Sequence, residues 1–99
     1  MEVHLTAEAE RDLTEIALFI ARDNIQRAMD LVQLLRTACL DLAEFPDRYP
    51  LVPRYARRGI RHRVCGNYLI FYRREQRRVA ILHILHGARD YLDLLGTKE

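Results

Sequence analysis

A chain of 99 residues, 49% apolar and 30% charged with a net charge of +2, has room for one small domain over 1–99 and too much apolar content to be disordered. Its apolar runs are short against the roughly 18 residues that span a bilayer, and its first residues, MEVHL, carry no basic-then-apolar leader, so a cytoplasmic protein with no membrane partner is expected. Two distant cysteines, Cys39 and Cys65, exclude a four-thiolate zinc site and a C-x-x-C redox pair and read as two packed free thiols.

The first element is a short strand, VHL at 3 to 5. Thr6 then precedes AEAERDLTEIALFIARD, in which Ala9, Leu13, Ile16, Ala17 and Ile20 recur at spacings of three and four. That spacing predicts an amphipathic helix capped by the threonine hydroxyl, with Glu8 and Glu10 set against its N-terminal dipole. Asp23-Asn24 breaks it. From Ile25 to Phe45, Ala28, Val32, Leu35, Cys39 and Leu42 step by four and three, which predicts a second helix ending before Pro46. Two such helices joined by two residues fold back as an antiparallel hairpin. Leu31, Leu34 and Ala38 widen the apolar surface of the second helix beyond one face, and a groove for a partner is expected there.

Residues 46 to 59, PDRYPLVPRYARRG, have three prolines and no hydrophobic period, so they read as a loop. Thereafter the period becomes two. IRHRVC (60 to 65), YLIFYRR (68 to 74) and VAILHIL (79 to 85) are three β-type runs, separated by Gly66-Asn67, which suits a type II′ turn, and by residues 75 to 78. A short helical turn, DYLDLL, follows. The order β-α-α-β-β-β predicts an α+β two-layer fold, a helical hairpin packed on an antiparallel sheet.

Charge divides the chain as sharply as periodicity does. Residues 1 to 47 carry four arginines against ten acids, while residues 48 to 99 carry eleven arginines and Lys98 against four acids. The basic half uses arginine almost exclusively, which favours planar, bidentate contacts to phosphates or carboxylates. Arg57, Arg58, Arg61, Arg63, Arg73 and Arg77 are the expected basic surface for an acidic partner or target. In the strand 60 to 65, alternation sets Arg61, Arg63 and Cys65 apart from Ile60, His62 and Val64, and the arginine face is expected to open towards a partner. The alternative is that the two halves of the chain neutralise each other within the fold.

Catalytic constellations are scarce. There is no serine, neither cysteine sits in a Cys-His arrangement, and the four glycines are dispersed, so no nucleophile and no phosphate-cradling loop is expected. His83 and His86 lie three apart and would point to opposite faces of a strand, so no metal and no cofactor is expected either. HGARD at 86 to 90 has two readings. In one, His86 packs, Gly87 allows the chain to reverse and Asp90 caps the following turn; in the other, His86, Arg89, Asp90 and the adjacent Tyr91 contact a target.

The succession of an N-terminal strand, a helical hairpin ending in FP, a basic strand, GNYLIFYRR, a short turn and VAILHILHGARD resembles the ParE branch of the RelE/ParE superfamily of type II toxins over nearly the whole chain. Residues 67 to 90 carry the most specific part. The resemblance implies a toxin neutralised by a ParD-like antitoxin, which would reach both the groove and the basic surface. It further implies DNA gyrase as target, with growth arrest and plasmid maintenance as the outcome, and no sequence-specific binding of nucleic acid by the toxin alone. The RelE branch instead cleaves messenger RNA on the ribosome. Here Leu69 stands where that branch has an arginine, and Leu95 where it has a C-terminal tyrosine, with Tyr91 the substitute this sequence offers. Loss of an acid–base group and a phosphate clamp removes roughly 10² to 10⁴ each in rate, so a poison that acts by binding, rather than an enzyme, is expected.

Overall fold

The period-two half of the chain builds a sheet, and the amphipathic half covers one side of it. A computed structural model describes residues 1–87. Strand β1 (Glu2–Leu5) leads into helices α1 (Ala7–Ala21) and α2 (Ile25–Leu40), followed by strands β2 (Ile60–Cys65), β3 (Tyr68–Glu75) and β4 (Arg78–His86). The caps are those the sequence offers. Thr6 accepts from the Ala9 N–H at 3.2 Å while its hydroxyl donates to the Ile81 carbonyl at 2.7 Å, so one side chain starts α1 and ties it to β4. Asn24 accepts from the Arg27 N–H at 3.0 Å and starts α2.

The three later strands form the expected antiparallel meander. The sheet order is β1-β4-β3-β2, and β1 lies parallel to β4, so the sheet is mixed rather than wholly antiparallel. The helical hairpin carries the chain from β1 to β2 at the opposite edge of the sheet, and the meander then brings β4 back beside β1. Its second helix ends earlier than expected, at Leu40, where the backbone tightens into a 3₁₀ turn at Asp41–Ala43. The stretch expected to be an irregular loop holds another such turn, Pro53–Arg58.

Two clusters hold these layers. Ala9, Leu13, Leu35, Ala38, Cys39 and Leu42 pack on Ile70, Tyr72, Val79, Ile81 and Ile84, while Val52, Tyr55, Ile60, Phe71 and Leu85 form a smaller cluster. Alternation along β3 puts Ile70 and Tyr72 on the helix side and Phe71 on the other, so the Pro53–Arg58 turn covers part of the second face. Both links of the meander are two-residue turns. Gly66 has φ 59° while Asn67 stays at negative φ, as a type II′ turn requires. The second link is shorter than expected, Gln76-Arg77, because β3 and β4 each extend by one residue towards it.

The two cysteines differ in burial. Burial pushes the Cys39 thiol up to about 12, while Cys65 is half-buried beside the same cluster. Native protein at mild alkaline pH is expected to release one equivalent rapidly from a thiol reagent, through Cys65, and the second only on unfolding. Two fast equivalents would contradict the packing of Cys39.

Candidate functional site

The far end of β4 is built around a register fault. Phe71 pairs with His83 and Tyr72 with Ile81, which leaves Leu82 as the extra residue of a β-bulge. Pairing with β1 stops at Leu5–Ile81, so β4 beyond that point needs other partners along its free edge. Asp12 of α1 supplies them. Its Oδ2 accepts from the Ile84 N–H at 2.9 Å and lies 2.8 Å from His83 Nδ1. An ionised carboxylate only accepts, so in this contact it is Nδ1 that carries the proton.

Past this clamp, α1 and β4 border an open groove of about 300 Å³ lined by Asp12, Glu15, Ile16, Phe19, Tyr68 and His86, among others. His86 is exposed, and its ring meets Tyr68 edge-on at 5.4 Å. The packing reading of His86 therefore applies to one edge of its ring, while the residue as a whole faces solvent. Gly87 keeps a φ outside the left-handed region, and its N–H donates to the Asn67 carbonyl at 2.8 Å, continuing the ladder to the last described residue. Arg89, Asp90 and Tyr91 lie outside the described residues.

The expected basic surface divides in two. Arg61 and Arg63 face the helix layer, contrary to the expectation of an open arginine face. Arg63 Nη1 donates to the Ala38 carbonyl at 2.7 Å and its guanidinium lies 5.2 Å from the centre of the Tyr49 ring; Arg61 Nη1 donates to the Tyr49 carbonyl at 2.7 Å. The reason is local. Ala38 is in the last turn of α2, whose carbonyls lack helical partners, and a cation there also complements the helix dipole. Arg73 is held by Glu75 at 2.9 Å, and Arg78 takes the other oxygen of the same carboxylate at 3.3 Å. Hydrogen bonding from Arg73, with a further bond from Arg78, holds the Glu75 carboxyl below its usual range despite some desolvation. Arg57 and Arg77 remain exposed, and Arg58 is half-buried with its guanidinium 5.8 Å from the centre of the Tyr55 ring.

The groove residues on α2 also need correction. Ala38 is 4% exposed within the chain's own core, and Leu31 packs against that core, because the stripe facing the sheet is broad enough to include them. Leu34 alone of the three is open to solvent. The exposed apolar surface instead involves Leu18 and Phe19 of α1 and Ile25, Met29, Leu34 and Leu40 of α2. The first four flank the α1–α2 turn, and Phe19 belongs also to the groove beside His86. Their signal was in the sequence: they are the apolar residues that fall off the three-and-four core stripe.

Leu69 is half-buried against the cluster of the second sheet face, so the position where a nuclease of this superfamily would carry an arginine is occupied by a packed apolar side chain. Near it, His62 stacks at a tilt on Phe71, with ring centres 6.3 Å apart, and its Nδ1 is buried with no hydrogen-bond partner. Among the described residues no group of three or more His, Cys, Asp or Glu could hold a metal ion, and no helix is long and apolar enough to cross a membrane.

A helical hairpin on a four-stranded mixed sheet, with an apolar hairpin tip, an arginine-rich meander and a histidine at the end of the last strand, defines a small two-layer α+β protein. The family model described as the ParE toxin of the type II toxin-antitoxin system parDE matches residues 3–91, and the chain belongs to that family. In structure it is similar to a chain described as "Chromosomal ParDE TA system from P. aeruginosa", with a TM-score of 0.74 at 19% identity, covering 87% of this chain and 95% of that one. No curated protein matches the sequence significantly.

Proposed function

We propose that this toxin arrests growth in the cytoplasm by docking on DNA gyrase, and that a ParD-like antitoxin prevents it. The observation that carries the reading is Leu69, half-buried on the second sheet face. Phosphoryl transfer needs cations preorganised at the developing charge, and a leucine packed among Val52, Tyr55, Ile60, Phe71 and Leu85 supplies none. The meander arginines that could have formed such a clamp, Arg61 and Arg63, are turned towards the helices. Docking instead uses the surface that is open: His86 and its groove, continued by Phe19 and the apolar hairpin tip. The antitoxin's disordered segment would cover this apolar surface as an amphipathic helix, ordering as it binds.

The competing reading is a ribosome-dependent endoribonuclease, for which the unpartnered Nδ1 of His62 on the second sheet face is the one favourable feature. Transcripts mapped by primer extension in induced cells separate the two. Intact transcripts alongside growth arrest are expected, and cuts within translated codons would replace docking by cleavage. Harmless expression of soluble protein would instead mark a binding module without toxicity. Arg89→Ala is expected to relieve growth arrest while the variant still co-purifies with its antitoxin; unchanged toxicity would reduce HGARD to a structural turn.

A further inference from the structure

Residues 48 to 74 contain eight arginines and no acid. Four of them are committed to carboxylates elsewhere: Arg61 lies 3.8 Å from Asp47, Arg63 4.0 Å from Asp41, Arg73 2.9 Å from Glu75 and Arg74 3.0 Å from Asp47. On the Pro53–Arg58 turn, Arg54 and Arg57 are exposed and have no ion pair among the described residues. The guanidiniums of Arg54 and Arg58 lie 5.9 and 5.8 Å from the centre of the Tyr55 ring, which fixes them on a rigid aromatic base.

We infer that this turn is a second binding surface, and that its ligand is the phosphate backbone of duplex DNA. Arginine forks pair with phosphate oxygens in bidentate fashion, and the Arg54 guanidinium, exposed yet resting over the Tyr55 ring, loses little freedom on doing so. The form of the nucleic acid follows from Tyr55. It is only 4% exposed, so it positions arginines but offers no face on which an unpaired base could stack, as a single-strand binder requires. Contacts to phosphates carry no sequence information, so binding through them is independent of sequence. The choice of DNA among duplex polyanions rests on the gyrase reading, since an enzyme that holds duplex DNA would present such a backbone beside a docked toxin.

Fluorescence anisotropy with the full chain and a short labelled DNA duplex, at a series of salt concentrations, tests this without gyrase present. Two neutralised phosphates give a slope of log affinity against log salt of about −1.8, or about a 12-fold loss between roughly 50 and 200 mM. The double variant Arg54→Gln/Arg57→Gln is expected to flatten the slope by about 1.8, with its melting temperature unchanged because both side chains are exposed. Arg22→Gln, on α1, is expected to change neither quantity. An unaltered slope in the double variant, absence of binding to the duplex, or equal binding to poly-glutamate or single-stranded RNA would overturn the inference. The two readings fail separately. Gyrase poisoned by a chain that does not bind the duplex removes this surface alone, whereas arginine-dependent DNA binding with gyrase untouched removes the gyrase reading and leaves the surface standing.

Discussion

Arg63→Ala is expected to destabilise the protein by about 2–4 kcal/mol, a large effect for an arginine on a strand that sequence alone assigns to a partner surface. The side chain is only about one-fifth exposed, donates to the Ala38 carbonyl at 2.7 Å and covers the Tyr49 ring. A charged hydrogen bond to a carbonyl contributes about 1.5–3 kcal/mol, and a partly desolvated cation over a ring about 0.5–1 kcal/mol more. Truncation also strips the last turn of α2 of a donor. Denaturant unfolding of Arg63→Ala beside Arg57→Ala, whose side chain is exposed, measures this directly. A loss near zero for Arg57→Ala and a large one for Arg63→Ala is expected; equal small losses would return Arg63 to the solvent-facing set.

Asp12→Ala should cost about as much, roughly 2–4 kcal/mol, for a different reason. The carboxylate closes the β4 edge left open by the bulge, and without it the N–H of Ile84, a residue 1% exposed, has no acceptor. An orphaned buried donor costs about 1–3 kcal/mol, and the charge-assisted bond to His83 is lost as well. Asp12→Asn keeps an acceptor oxygen for Ile84 and is expected to retain about half of the loss. Amide exchange read along β4 is the sensitive probe, since the Ile84 N–H should lose protection before the core does. If Asp12→Ala left that amide protected, another group would be closing the edge.

These two residues mark where the sequence was and was not legible. Strands β2, β3 and β4 were readable to within a residue at each end, because period-two alternation, Gly66-Asn67 and the short charged link leave little choice of register. Thr6 and Asn24 announced the helix starts by their capping chemistry. The parallel partner of β1 was not readable, since strand order depends on how the helical hairpin crosses the sheet and no local pattern encodes that. Alternation split β2 correctly into an arginine set and a His62–Val64 set. It gave no orientation, and the hidden determinant was the supply of unpaired carbonyls at the end of α2 and in residues 46 to 50, which drew Arg61 and Arg63 inwards.

The same logic reshapes the candidate site. Ala38 and Leu31 were legible as apolar but not as core, because a helix facing both a sheet and a neighbouring helix uses a stripe wider than the three-and-four pattern isolates. Asp12 lies 71 positions from its histidine partner, a contact without local signature, and the bulge that creates the need for it appears only once β3 and β4 are paired.

Purified chain incubated with gyrase, ATP and supercoiled plasmid, followed by denaturation, reads the central claim most directly. Accumulation of linear, enzyme-linked DNA is expected, together with its disappearance when the His86 groove is stripped of its contacts by a His86→Ala/Phe19→Ala pair. Normal supercoiling at saturating toxin, with RNA cut on translating ribosomes by the same preparation, would contradict it.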